Sequence, residues 1–250
     1  MAGYRRGIRL PGAVVVVAGP AGPVGRATAA ALAGAGARPV LLDQGVADAV
    51  RDTARRVVRD YGRLDGWVQC TGTASCGGLL DLPLDEVRRV LDADLMGAVH
   101  GARAALPQMA RQGRGVLVVV ASVHAQVARP FGAPQGMAGA AVRVLAAALR
   151  QELRLGGVRG VAVTTVLAPR VGDDGAEPAF PATSAERVAA TVLGQLRHPR
   201  LEKVAGGPSA KALVHGHALV PGVTEWLVAQ RSRRRAPDQR THDGGTADGG

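Results

Sequence analysis

The chain has 250 residues, 47% of them hydrophobic, with 35 glycines and a formal net charge of +11. That length and apolar content suit one sizeable core of alternating strands and helices. An aromatic content of only 2% leaves no stacking platforms for single-stranded nucleic acid and argues against nucleic acid as a partner.

The positive charge sits at the ends of the chain and along helix-spaced stretches. Arg5, Arg6 and Arg9 open the chain, and Arg231, Arg233, Arg234, Arg235 and Arg240 crowd its end. Arg51, Arg55, Arg56 and Arg59 alternate with Asp48, Asp52 and Asp60, which reads as a solvated helix face. The Arg231 to Arg235 cluster also suits an acidic partner or an anionic membrane surface. Cys70 and Cys76 have no Cys or His company at ligand spacing, so no metal is expected and a reduced, cytoplasmic protein is the simplest reading. No run approaches the roughly 18 apolar residues of a membrane span.

In chain order, residues 1–11 read as a basic extension, 12–228 as one domain and 229–250 as an unstructured basic tail. Within the domain, the Val-rich run 12–18 predicts a strand, and 24–35 an Ala-rich helix after a glycine turn. A strand over 39–42 ends at Asp43, an amphipathic helix follows over 46–61, and 64–69 is a buried strand. Residues 84–109 predict a helix with a break near Pro107. Strand 115–121, helix 136–155, strand 161–167, helix 184–196 and a short edge strand at 203–205 complete the pattern. Strands alternating with helices imply a doubly wound parallel α/β sheet, with ligands at the carboxyl ends of the strands. The loops 19–25, 70–78, 122–135 and 168–172 all fall there.

Those loops carry readable motifs. Ala18-Gly19-Pro20-Ala21-Gly22-Pro23-Val24-Gly25 has the make-up of a phosphate-cradling turn, although Pro23 supplies no N–H. Pro23 equally suits the first position of a helix. Asp43 stands where a carboxylate can accept from ribose hydroxyls, or simply cap a turn. Together with Gln69-Cys70-Thr71-Gly72, Asp92-Ala93-Asp94-Leu95, Val118-Val119-Val120-Ala121-Ser122 and Leu167-Ala168-Pro169-Arg170-Val171, these segments resemble the short-chain dehydrogenase/reductase family over nearly all of 12–228. The segment from His215 to Trp226 is similar to the endings of some bacterial members.

The resemblance implies a Rossmann-type sheet. Asp43 runs almost directly into the helix at Val46, which implies the loss of one helix and one edge strand; Asp43 corresponds either to the usual ribose-binding aspartate or to that of the missing strand. By position, the cofactor contacts would be Gly19, Gly22, Gly25, Asp43, Gly72 and Pro169. Gln44 replaces the arginine that would welcome NADP, so the implied cofactor is NAD, bound weakly or not at all. Arg170 replaces a glycine beside the nicotinamide.

The catalytic positions are Ser122, which is retained, Asp94 in place of asparagine, Gln135 in place of tyrosine and Gly139 in place of lysine. In the family the tyrosine moves the substrate proton and the lysine lowers its pKa. Glutamine does not titrate near neutrality. The expectation is a non-catalytic partner subunit, a pseudoenzyme, joining a homo- or hetero-oligomer through helices 84–109 and 136–155. The alternative is an active NAD-dependent oxidoreductase in which substrate or water replaces the tyrosine. A hydrolytic pair of Ser122 and His124 is disfavoured, because residues two apart on a strand point in parallel. His100 and His124 lack partners for a metal.

Overall fold

The computed structural model describes residues 7–19, 22–43, 47–73, 75–171 and 182–233. The sequence readings for Arg5, Arg6, Pro20, Ala21, Gln44, Val46, Gly172 and the chain after Arg233 lie outside these residues.

Strand β1 (Val14–Ala18) is four valines and an alanine, all buried, because a central parallel strand is covered on both faces. Helix α1 (Pro23–Gly34) starts on Gly22 with proline in its first turn. Strand β2 (Arg38–Leu42) leads to α2 (Ala47–Tyr61), where Val50, Thr53, Ala54 and Val57 recur at helical spacing on the buried side. Arg51 and Arg55 pair outward with Asp48 and Asp52, as the charge spacing expects. Strand β3 (Gly66–Cys70) is wholly buried.

Helices α3 (Leu84–Leu91) and α4 (Gly97–Gln112) are joined by a single π turn, Asp92–Met96. The irregularity therefore lies here and not near Pro107, which α4 passes without interruption. Pro107 and Arg103 are exposed, so water can satisfy the carbonyl that proline deprives of its donor.

Strand β4 (Gly115–Ser122) runs into a 3₁₀ turn, Val123–Ala125, and α5 (Ala133–Leu155) follows. Strand β5 (Val161–Ala168) precedes an unanticipated two-residue ladder between β6 (Arg170–Val171) and β7 (Ala182–Thr183). Helix α6 (Ala185–Arg197) is capped by the Ser184 hydroxyl, which accepts from Arg187 N–H at 3.2 Å. Strand β8 (Glu202–Val204) and helices α7 (Pro208–Leu219) and α8 (Pro221–Arg233) complete the described chain. Residues 229–233, read from the sequence as the start of a tail, belong to α8; the helix is anchored where Val228 packs with Val127 and Leu213.

The main sheet is six-stranded in the order β2-β1-β3-β4-β5-β8, every pair parallel. The chain moves outward to β2, then returns across β1 to β3, so the topological switch falls between β1 and β3. Only residues 44–46 separate Asp43 from α2, leaving no room for another helix and strand, and β2 is the sheet edge on that side.

Alternate residues of each strand feed two cores. Val15, Val17, Val68 and Val118 join one with Leu32 and Leu196 of α1 and α6. Val14, Val16, Trp67 and Leu117 join the other with side chains of α2, α4 and α5. Fully burying such a valine or leucine contributes about 1.5–3 kcal/mol. Trp67 fits because α4 carries Gly101 against it: a Cβ there would lie 2.7 Å from Trp67 Nε1 and 2.6 Å from Gln69 Oε1.

Candidate functional site

The site forms at the carboxyl ends of β1 to β5, where the family-like motifs converge. Gly19 leaves β1 with φ +79°, and its N–H donates to Leu42 O at 2.8 Å. This places the glycine turn beside the end of β2, one residue before the exposed Asp43. Gly22 precedes α1 in extended conformation with open space around its would-be Cβ. Arg26 N–H closes onto Gly22 O at 3.1 Å, so the N–H groups of Val24 and of buried Gly25 precede the intrahelical ladder. No acidic residue occupies this first turn, and the helix end suits an anion.

After β3 the chain is held tightly. Thr71 donates to Val120 O through both its N–H (3.2 Å) and its hydroxyl (2.6 Å). Gly72 has φ +141° and open space where a Cβ would stand. The buried Asp94, on the π turn, accepts from Gly72 N–H and Thr73 N–H at 3.1 Å and from the Thr73 hydroxyl at 2.8 Å. Its carboxylate is thus occupied in fixing the loop.

Gln135, in the first turn of α5, reaches the same loop from the other side. Its Nε2 donates to Thr73 O at 3.3 Å and to Ser75 O, while Oε1 is buried without a hydrogen-bond partner among the described residues. Gly72, Asp94 and Gln135 therefore converge on Thr73, a residue that carries no signal in the sequence.

Ser122 and Gly139 converge on the 3₁₀ turn. Ser122 Oγ accepts from the backbone N–H of His124 at 3.2 Å, as a cap of that turn. His124 Nδ1 lies 3.0 Å from Val127 O, so the imidazole is engaged away from the serine. Burial holds His124 below its ordinary pKa against the Val127 hydrogen bond, and the Arg129 charge adds to the lowering. Among the described residues no base is bonded to the serine, and a hydrolytic pair of Ser122 and His124 is not built here. A Cβ on Gly139 would lie 2.8 Å from Ala125 Cβ, so α5 meets the turn at a point where a side chain does not fit.

At the far side of the site, Pro169 follows β5 and packs on the turn after β8, where a Cβ on Gly206 would lie 2.9 Å from Pro169 Cγ. Arg170 is exposed in β6. Cys70 is buried, and burial pushes its thiol up to about 12. Among the described residues no group of three or more His, Cys, Asp or Glu could hold a metal, and no helix is long and apolar enough to cross a membrane.

A parallel sheet with its switch point beside a glycine turn and an uncapped helix start defines a dinucleotide-fold protein of the doubly wound class. The short chain dehydrogenase model matches residues 43–172, more than half of the chain, and the chain belongs to that family. Among curated relatives it is 24% identical over 207 residues to dehydrogenase/reductase SDR family member 7B of Bos taurus, which covers 78% of this chain and 64% of that protein. The chain thus spans under two thirds of that relative's length. It is 35% identical over 95 residues to L-rhamnose 1-dehydrogenase (NAD(P)(+)) of Sphingomonas sp. (strain SKA58), 37% of each chain. A solved short-chain dehydrogenase from Streptomyces avermitilis shares the fold with TM-score 0.73 at 21% identity, over 88% of this chain and 98% of that one.

Proposed function

We propose that this chain is a short chain dehydrogenase fold that has given up the tyrosine–lysine proton relay and serves as a non-catalytic partner subunit with at most a weak NAD site. The observation that carries the reading is the contact between Gly139 and Ala125: the space that a lysine's first carbon would need is taken up by the Ala125 methyl group. Two further features support it. Gln135 spends its amide on the carbonyls of Thr73 and Ser75 and has no proton to exchange near neutrality. Asp94 spends its carboxylate on Gly72 and Thr73.

The residues present fit one end of a dinucleotide better than the other. Gly19, Gly22, Gly25 and the start of α1 would hold the diphosphate, and Asp43 a ribose hydroxyl. Bound NAD would supply a hydride acceptor. At the other end, Gly139 offers no cation for the nicotinamide ribose.

Association through α4 and α5 is supported by what their outer faces show. Met137, Ala140 and Val144 are exposed at helical spacing on α5, and Met96 is exposed just before α4. Small and flexible apolar side chains in such a row suit close packing against a partner's helices.

Calorimetry with NAD and NADP on the folded protein tests the cofactor half. Binding of NAD on the order of −5 to −8 kcal/mol would keep a sensing role. Sedimentation of Val144→Lys tests the association half, with a fall in oligomer mass expected. The retained Ser122 hydroxyl favours a second reading, an oxidoreductase that takes its proton from water. NADH turnover that vanishes in Ser122→Ala would establish it over the first.

A further inference from the structure

The α7–α8 hairpin carries more apolar surface than its own packing uses. Inward, Ala210, Leu213, Val214, Thr224 and Val228 are buried, and Gln126 Nε2 donates to Val214 O at 3.1 Å. The bend is hydrogen-bonded: Val220 N–H donates to Gly216 O at 2.8 Å, and the Thr224 hydroxyl lies 2.8 Å from His217 Nδ1 and donates to Pro221 O at 2.8 Å. Outward, Leu219 is 83% exposed, Trp226 60%, and Val220, Val223 and Leu227 are exposed with them. Val223, Trp226 and Leu227 fall at i, i+3 and i+4, a single stripe of α8 continuous with the bend. Side chains of this size exposed together on a hydrogen-bonded bend mark an interaction surface.

The charge around the stripe selects the occupant. The exposed Arg231 stands one turn beyond Leu227, and the sequence continues through Arg233, Arg234 and Arg235. Lys211 is exposed on α7, and Glu225 is the only acidic residue between Pro208 and Arg235. An exposed aromatic and aliphatic stripe that runs into arginines suits contact with an anionic bilayer. There the apolar side chains enter the acyl boundary, while the guanidinium groups stay with the phosphates. We infer that α8 and the α7–α8 bend dock the protein peripherally on an anionic lipid surface, with Val223, Trp226 and Leu227 inserted. The stripe faces outward from a hairpin whose inner side packs on the turn after β4, and the inference stands whether or not a dinucleotide binds.

The chain has two tryptophans, and Trp67 is fully buried, so Trp226 emission reports on this surface. The full chain is mixed with vesicles of phosphatidylcholine, with and without phosphatidylserine, and followed by co-sedimentation and tryptophan emission. The expected result is binding to the phosphatidylserine vesicles only, with a blue shift of Trp226 and loss of binding in high salt. Val223→Ser/Leu227→Ser, checked for an unchanged melting temperature, should partition at least about tenfold less. Equal partition of variant and wild type, or binding indifferent to phosphatidylserine, overturns the inference. So does a blue shift that grows with protein concentration without lipid, which would assign the stripe to a second copy of this chain.

Discussion

A Cβ built on Gly139 would come within 2.8 Å of Ala125 Cβ and 3.4 Å of its Cα, so the bare backbone of α5 packs against the Ala125 methyl group in the turn after β4. Restoring the family's lysine is therefore not a simple replacement. Gly139→Lys should cost about 1–2 kcal/mol in urea denaturation, overpacking outweighing the gain in helix propensity. Ala125→Gly in the same chain should recover much of it, giving a coupling that a double-mutant cycle reads directly. Only in that relieved background does Gln135→Tyr test the proton relay. A gain of NAD-dependent turnover there would mean that the rest of the active site survives.

Asp94 binds the loop after β3 through three donors on Gly72 and Thr73. Hydrogen bonds to a charged group are the stronger kind, so Asp94→Ala should destabilise by about 2–3 kcal/mol. Asp94→Asn keeps an acceptor oxygen for the same donors and should cost less than half of that. Amide exchange at Thr73 separates loop release from general unfolding. Faster exchange at Thr73 with unchanged protection in β3 is expected, and uniform acceleration would count against a local fastener.

The order of strands and helices was legible because its signals are local. Valine runs mark β1 and β4, helical spacing marks α2, and the short distance from Asp43 to α2 announces the missing unit. The site was legible only as a set of positions. Gln135 and Gly139 could be read as absences, but their contacts with Thr73, Ser75 and Ala125 join residues far apart in the chain or held by close packing. The helix break expected near Pro107 was misplaced for the same reason. Proline is a visible breaker, whereas the turn at Asp92–Met96 surrounds a carboxylate bonded to a loop more than twenty residues earlier.

Two thiols of opposite character give a check on the core. Cys70 is buried and its thiol is pushed up to about 12, while Cys76 is exposed. The thiolate is the reactive form, so a disulfide reagent at pH 8 should label Cys76 alone in the native protein and both cysteines in denaturant. Native labelling of Cys70 at a comparable rate would mean that the end of β3 opens readily.

His124 offers a pH test with a defined sign. Burial, aided by the Arg129 charge, lowers its folded-state pKa from 6.5, outweighing the hydrogen bond to Val127. The folded state therefore favours the neutral ring, while the unfolded chain takes up the proton at the ordinary value. The resulting stability is present above pH 6.5 and is lost as pH falls from there through the lowered folded-state value. His124→Gln removes the titration, so the difference in unfolding free energy between wild type and variant should shrink as pH drops below 6.5 and stay constant above it. At high pH the variant should be weaker by about 0.5–1.5 kcal/mol, the net worth of the bond to Val127. A difference that stays constant through the acid range would show that the ring takes its proton in the folded protein as easily as in water.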